Sequence, residues 1–288
     1  MRLLPLFIFG LAIPGSAVAQ SLTDSFNYAS GVNINGLSSG NGITWGSRNN
    51  ASHDTNIVSS SGLSYGAAGY SGFAESGRAL TVTSAGAGSF ITPTYFVSEA
   101  FFTGARQALG DTVYGSFLRR QDVGVLDSES VMNLDAGAPL GQGNGNALAG
   151  FYIKNNVYTV FAFDESTGTF PEVGTGKSTS VGQTDLILFK FEQGLAGNQR
   201  FSLAINPDLS GSSIAWDAVL TSRRVALDYR TAFISSHTSP AAPRTATLDE
   251  IRFGSSLESV KPVPEPATMA ALSLGLVALY SRRKTAKR

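Results

Sequence analysis

Cysteine is absent from all 288 residues. A chain without thiols has no disulfide to staple its fold, no thiolate nucleophile and no cysteine-ligated metal, so its stability has to come from a packed core. Histidine is almost absent too: His53 and His237 are the only 2, each in a Ser/Thr-rich setting without a second imidazole at metal or relay spacing. A triad or metal site based on histidine would have to use one of them alone, and both read as surface-loop residues. Charge is sparse, 15% of residues, with 21 basic against 21 acidic side chains. A body so sparsely charged argues against a nucleic-acid partner, since phosphate binding needs clustered Lys and Arg. No Walker loop or EF-hand loop is present, and Gly141-Gln142-Gly143-Asn144-Gly145 lacks the helix and lysine that would let it cradle phosphate. Long helices are missing as well, since no stretch of about ten residues in the body combines a helical period with caps.

What is present is apolar and of period two. Hydrophobic residues make up 42% of the chain, with 18 Phe and 9 Tyr, enough apolar area for a core, although 32 Gly raise the entropy of the unfolded chain. Phe201, Leu203 and Ile205 alternate with Ser202, Ala204 and Asn206, and Ile187, Phe189 and Phe191 alternate with Leu188, Lys190 and Glu192. That is the pattern of strands. Phe151 to Ile153 and Val157 to Phe163 flank Lys154-Asn155-Asn156, and asparagine tolerates the positive φ of a tight hairpin turn. Ala79 to Thr83, Val113 to Arg119, Val225 to Tyr229, Ala232 to Ser235 and Leu248 to Phe253 are further strand candidates. Short strands separated by Gly, Ser and Asn predict an all-β fold, an antiparallel β-sandwich or jelly roll that manages its edges by folding one sheet over another. Ser30 to Gly72 is the most loop-like segment, with Trp45, Ile57, Val58 and Tyr65 expected to pack over the sandwich, and Asp135 to Gly150 predicts a long surface loop.

The two ends read as targeting segments. Arg2, an apolar stretch from Leu3 to Ile13, the breakers Pro14 and Gly15, and Ala17-Val18-Ala19 compose a signal peptide over residues 1–19, with signal peptidase cutting after Ala19. At the other end, Val263-Pro264-Glu265-Pro266-Ala267-Thr268 leads into an uncharged run from Met269 to Tyr280, followed by Arg282, Arg283, Lys284, Lys287 and Arg288. Prolines on both sides of Glu265 interrupt regular structure, and the run behind them has no polar face, so it predicts a short transmembrane helix. From Ala267 it covers about 21 Å at ~1.5 Å per residue, against the roughly 30 Å of a bilayer core. The cations that follow hold the extreme C-terminus on the cytoplasmic side.

Pro264-Glu265-Pro266, the short apolar helix and the Arg-rich end together resemble the PEP-CTERM sorting tail of Gram-negative bacteria. The resemblance covers residues 261–288. It implies an inner-membrane precursor, recognition by an exosortase, cleavage near the Pro-Glu-Pro, and delivery of the body to the cell surface or extracellular matrix. Between the two ends lies one expected domain, residues 20–260. Counted from Gln20 through Lys261, with Arg2 and the five tail cations set aside, 15 basic residues remain, and with Glu265 set aside 20 acidic ones, so that stretch carries a net −5.

Within that body, Asp24-Ser25-Phe26-Asn27-Tyr28, Gly182-Gln183-Thr184-Asp185, Asn206-Pro207-Asp208 and Leu248-Asp249-Glu250-Ile251-Arg252-Phe253-Gly254 resemble concanavalin A-like domains of laminin-G type. The resemblance implies a two-sheet jelly roll whose first and last strands pair, with Phe26 and Ile251 near the core. It carries no function by itself, since this architecture hosts lectins, hydrolases, lyases and adhesion modules.

Function has to be argued from sites. A retaining glycosidase needs two carboxyls about 5 Å apart. Asp127 and Glu129 have the spacing a strand would need, yet Gly124, Leu126, Ser128 and Ser130 around them read as a turn, so both are expected on a solvated loop. Asp249 and Glu250 are adjacent and read as a strand-end hydrogen-bonding pair. No catalytic residues are assigned. No cofactor or metal is assigned; calcium is the one alternative for which ligands can be named, in the acidic cluster Asp127, Glu129 and Asp135. Sugars are held by aromatic faces beside Asn, Asp and Gly loops. Trp45, Tyr65, Tyr70 and Trp216-Asp217 are the aromatics in polar surroundings, each weighed against the commoner core role of an aromatic in a sandwich. The sequence thus predicts an exported surface or matrix protein with a lectin-like body that binds extracellular polysaccharide. The alternatives are a purely structural matrix protein and, third, a polysaccharide hydrolase or lyase.

Overall fold

The computed structural model describes residues 21–34, 36–39, 43, 45, 54–65, 78–84, 95–96, 112–124, 129–135, 147–195, 198–223, 231–238 and 244–261. Strands dominate them: β1 Ser21–Asp24, β2 Asp54–Val58, β3 Leu80–Ser84, β4 Tyr95–Phe96, β5 Thr112–Val123, β6 Glu129–Asp135 and β7 Ala147–Lys154 in the first half. The second half supplies β8 Val157–Ala162, β9 Glu172–Ser178, β10 Thr184–Leu195, β11 Asn198–Ile205, β12 Ala218–Arg223, β13 Thr231–Thr238 and β14 Arg244–Gly254, followed by one short helix, α1 Leu257–Val260. All pairings are antiparallel. An 8-stranded sheet runs β12-β11-β10-β5-β14-β3-β2 with β1 also on β14, and a 6-stranded sheet runs β4-β13-β6-β7-β8-β9. The predicted all-β sandwich is therefore the observed fold.

The first and last strands do pair, Leu22 opposite Phe253 and Asp24 opposite Ile251. Strand β14 has room for two partners on that side because it bends. Its first half pairs with β3 and its second half with β1, and the break falls at the bulge between Asp249 and Arg252, where Glu250 takes φ 51°. The hairpin between β7 and β8 has the two-residue turn the sequence called for, with Asn155 at φ 51° and Asn156 at φ 64°, the left-handed pair that matches the twist of the flanking strands.

Between the sheets sits an aromatic core. Phe117, Phe189, Phe201 and Phe253 from the large sheet and Phe151 from the small one are all at most 1% exposed. Phe189 stacks on Phe201 at 5.8 Å and meets Phe253 edge-on at 6.0 Å, while Phe151 reaches across to Phe117 at 6.2 Å. Each such ring contributes roughly 1.5–3 kcal/mol by leaving water. Phe26 and Ile251 lie in the same cluster, both fully buried.

The large sheet is apolar on its other face too. Leu186 and Leu188, on the side of β10 that simple alternation leaves open, are buried beneath Leu63, Leu209 and Val260, with Tyr65, Ile214, Trp216 and Leu257 around them. A covered outer face is why β10 reads Leu-Ile-Leu-Phe rather than apolar against polar. Among the described residues no helix is long and apolar enough to cross a membrane. The signal segment, with Ala17 and Ala19, and the tail, with Pro264, Glu265 and Pro266, lie outside the described residues, as does the strand expected from Val225 to Tyr229.

Candidate functional site

The outer face of the 6-stranded sheet carries a row of aromatic rings. In β7, Ala149, Phe151 and Ile153 point into the core, so Tyr152 and Lys154 point out. In β8, Tyr158, Val160 and Ala162 are inward, leaving Thr159 and Phe161 outward, with Thr159 opposite Tyr152. The chain after β8 turns back through a bridge between Asp164 and Thr169 and lays Phe170 between its neighbours. Ring centroids then follow one another at 5.8 Å (Tyr152 to Phe161), 6.2 Å (Phe161 to Phe170) and 5.0 Å (Phe170 to Phe163). Phe170 is 48% exposed, and the other three are half-buried.

Polar groups border this row. Lys154 Nζ donates to Glu172 Oε2 at 2.9 Å, and the Tyr152 hydroxyl also donates to Glu172. The two donors hold the Glu172 carboxyl below its usual range, the tyrosine bond being the larger cause. Burial, and then the adjacent carboxylate, push the Tyr152 phenol up, so at neutral pH it is a neutral hydroxyl beside a carboxylate and an ammonium. Exposed ring faces flanked by such a set can stack on the apolar face of a sugar and hydrogen-bond its hydroxyls. The register adds that Ser130 stands opposite Tyr152 and His237 opposite Ser130, so His237 belongs to a strand rather than to the loop expected for it. His53 lies outside the described residues.

The aromatics singled out from sequence sit elsewhere. Trp45 is a core residue and not an open platform: it is 1% exposed, its ring tilts against Phe26 at 5.6 Å, and its Nε1–H donates to Asp24 Oδ2 at 2.5 Å. Trp216 is half-buried on the opposite side of the sandwich, packed on the Leu186–Leu188 cluster with Lys190 Nζ 5.9 Å from its ring centroid. Asp217 fastens the turn into β12, since its Oδ2 accepts the Ile205 N–H at 2.8 Å and its Oδ1 lies 3.7 Å from Lys177 Nζ. Tyr65 belongs to the same covered face as Trp216, and Tyr70 lies outside the described residues.

The calcium reading of the acidic cluster meets a geometric obstacle. Glu129 is the first residue of β6 rather than part of a loop, and Asp135 is its last. At about 3.3 Å per residue the two stand roughly 20 Å apart, too far to ligate one ion at ~2.4 Å. Asp127 lies outside the described residues. Among the described residues no group of three or more His, Asp or Glu could hold a metal.

The other carboxylates of the recognised segments are bound into the fold. Asp24 accepts from the Phe26 N–H at 2.7 Å and the Tyr28 hydroxyl at 2.7 Å. Asp185 takes four donors, Gln183 and Asn206 on one oxygen and Tyr158 and Thr179 on the other, which is why the segments Gly182 to Asp185 and Asn206 to Asp208 meet. Asp249 and Glu250 stand inside β14 at its bulge and not at a strand end. Asp249 is fully buried and Glu250 pairs with Arg252 at 2.8 Å.

After the bulge, α1 ends the described body at Lys261, and the sequence beyond it is decided by comparison. Residues 262–284 match the model of the PEP-CTERM protein-sorting motif. The chain carries a PEP-CTERM sorting motif. Such a motif implies exosortase-dependent sorting and export toward the surface of a Gram-negative cell. No curated protein matches the chain. Among solved structures, the chain is similar to an endo-β-1,4-glucuronan lyase from the fungus Trichoderma reesei, with 13% identity, a TM-score of 0.51, and coverage of 82% of this chain and 98% of that one. It is also matched to an alginate lyase from Aplysia kurodai at 10% identity and TM-score 0.44, covering 62% of this chain and 84% of that one. At such identities the likeness to the glucuronan lyase shows the fold, a jelly-roll β-sandwich ahead of the PEP-CTERM motif.

Proposed function

We propose that this is an exported, exosortase-sorted surface or matrix protein whose 6-stranded sheet binds extracellular polysaccharide. The observation that carries the reading is the surface row Tyr152, Phe161, Phe170 and Phe163, with Phe170 exposed and the other three half-buried, bordered by Lys154 and Glu172. A half-exposed ring in contact with a row of partly buried ones is a surface on which a sugar ring can stack. The row is long enough for successive sugar rings, and the net acidity of the body favours neutral glycans, or uronic-acid chains engaged through Lys154, over polyanions bound by bulk charge. Catalysis is not part of this reading. The buried carboxylates Asp24, Asp185 and Asp249 have their oxygens engaged by the fold, which leaves them unsuited to substrate chemistry.

The test is binding of the purified protein to a broad glycan array, once with calcium and once with chelator. Signal on a defined polysaccharide class that falls in Phe170→Ala supports the reading, and loss of signal on chelation alone would add an ion. A blank array from folded protein would instead favour the purely structural matrix role. Turnover of any array glycan would move the protein into the lyase or hydrolase class. For sorting, Glu265→Ala is expected to leave a full-length, membrane-held form. Unchanged processing would remove the exosortase step.

A further inference from the structure

The body ends in a clamp. Val260 is fully buried in the cluster of Leu118, Leu186 and Leu188 on the outer face of the large sheet. Its carbonyl accepts from Ser116 Oγ at 2.6 Å, and the Lys261 carbonyl accepts from Arg252 Nη1 at 2.7 Å. Lys261 Nζ in turn donates to the Gly211 carbonyl at 2.7 Å and pairs with Glu258 at 2.7 Å. Ser256 and Ser259 cap the helix between them reciprocally. The chain therefore leaves the body at one fixed place, on the α1 face of the large sheet.

The tether beyond that place is short. Ala267, where the membrane-seeking helical span is counted from, is six residues after Lys261, a reach of at most about 20 Å at ~3.3 Å per residue. To bring the aromatic row against the membrane, the chain would have to pass around two sheets stacked about 10 Å apart, with a layer of side chains outside each, a path longer than the tether. A second observation lies on the α1 face itself. Ile214, Leu257 and the half-exposed Trp216 pack against the same outer-face cluster that holds Val260, and an amphipathic indole next to apolar side chains suits the headgroup layer of a bilayer. Charge adds little here, because Lys261 and Lys190 are already paired with Glu258 and Glu192.

We propose that in the membrane-held precursor the α1 face of the large sheet, with Trp216, lies against the lipid headgroups, so that the aromatic row of the 6-stranded sheet faces away from the membrane. The proposal rests on residues 262–288 acting as a membrane-held sorting tail. It gives the sandwich two assigned sides, one presented to the membrane and the other to the polysaccharide.

The chain has no cysteine, so a single introduced thiol carries a fluorophore without ambiguity. Full-length protein labelled at Ser212→Cys beside the clamp, at Thr167→Cys near the aromatic row, or at Ser273→Cys in the apolar run is reconstituted into phosphatidylethanolamine and phosphatidylglycerol vesicles. Headgroup nitroxides are expected to quench the Ser212 label and leave the Thr167 label bright, and a long Gly-Ser insertion after Lys261 is expected to abolish the Ser212 quenching. Equal quenching at both body positions, or none at either while acyl-chain nitroxides quench the Ser273 label, overturns the orientation. An unquenched Ser273 label shows that the tail itself is not in the bilayer, which overturns the tail reading and the orientation with it.

Discussion

Asp249 Oδ2 accepts the backbone N–H of Leu63 at 2.8 Å across 186 residues of chain. The bond ties the segment before β3 to the bulge of β14, and the fit is close: a Cβ added at Gly62 would stand 2.9 Å from the same oxygen. Asp249 Oδ1 accepts the Glu250 N–H at 2.8 Å, at the residue whose φ of 51° makes the bulge.

Burial pushes the Asp249 carboxyl up to about 7 from 3.8, although its two backbone donors favour the charged form. Between those values the folded protein holds a proton that the unfolded chain has released. The contribution of Asp249 to stability is therefore greatest at acid pH, falls as pH rises through that window, and levels off above about 7. The upper bound of the effect is about 4 kcal/mol. Urea midpoints measured from about pH 4 to about pH 8 are expected to have a pH slope in the native protein that is more negative than in Asp249→Asn. An identical slope in the two proteins would assign the titration to another group.

Trp45→Phe keeps the ring contact with Phe26 and removes the indole donor from Asp24, which is only 4% exposed. The expected loss is about 1–3 kcal/mol of stability, seen as a lower thermal midpoint, with glycan binding unchanged. Lost binding at an unchanged midpoint would return Trp45 to the list of ligand residues.

Gly115→Ala places a methyl 2.1 Å from Phe189 Cζ. That ring is held by Phe201, Phe151 and Phe253, so it has nowhere to move, and overpacking of this kind costs about 1–3 kcal/mol or more. Denaturant unfolding checks it, and a neutral substitution would mean that the core is looser than these contacts imply.

Phe170→Ala removes the most exposed ring of the row. Glycan affinity is expected to weaken about tenfold, with stability changed by no more than about 1 kcal/mol. Tyr152→Phe keeps a ring in place and deletes the hydroxyl that bonds Glu172, so its smaller loss of affinity, read by calorimetry against Phe170→Ala, separates stacking from hydrogen bonding.

Several elements were legible locally. The Asn155-Asn156 turn and the inward set Phe201, Leu203 and Ile205 needed only neighbouring residues to specify them, and both are observed. Strand β9, Glu172–Ser178, was not foreseen because a sheet-edge strand can carry Glu, Gly, Thr and Lys without an apolar alternation. Strand β6 resembles loop ends in the sequence because Glu129 and Asp135 are acidic termini, and only its partners on both sides make it a strand. The aromatic row is not legible in the sequence, although Tyr152 and Phe161 lie inside predicted strands. Alternation says that neighbouring residues face opposite ways, and where both sides are apolar it does not say which way is out.

The sequence by itself determined an all-β body without disulfides, the hairpin turn, and the sorting motif, because cysteine count, turn chemistry and a terminal signal are properties of composition and short segments. Tertiary structure alone decided that Trp45 is core while Phe170 is exposed, that Asp249 is buried against Leu63, and that the chain leaves the body on the face opposite the aromatic row. Those outcomes depend on which sheet covers which, a relation between strands far apart in sequence that no local pattern encodes.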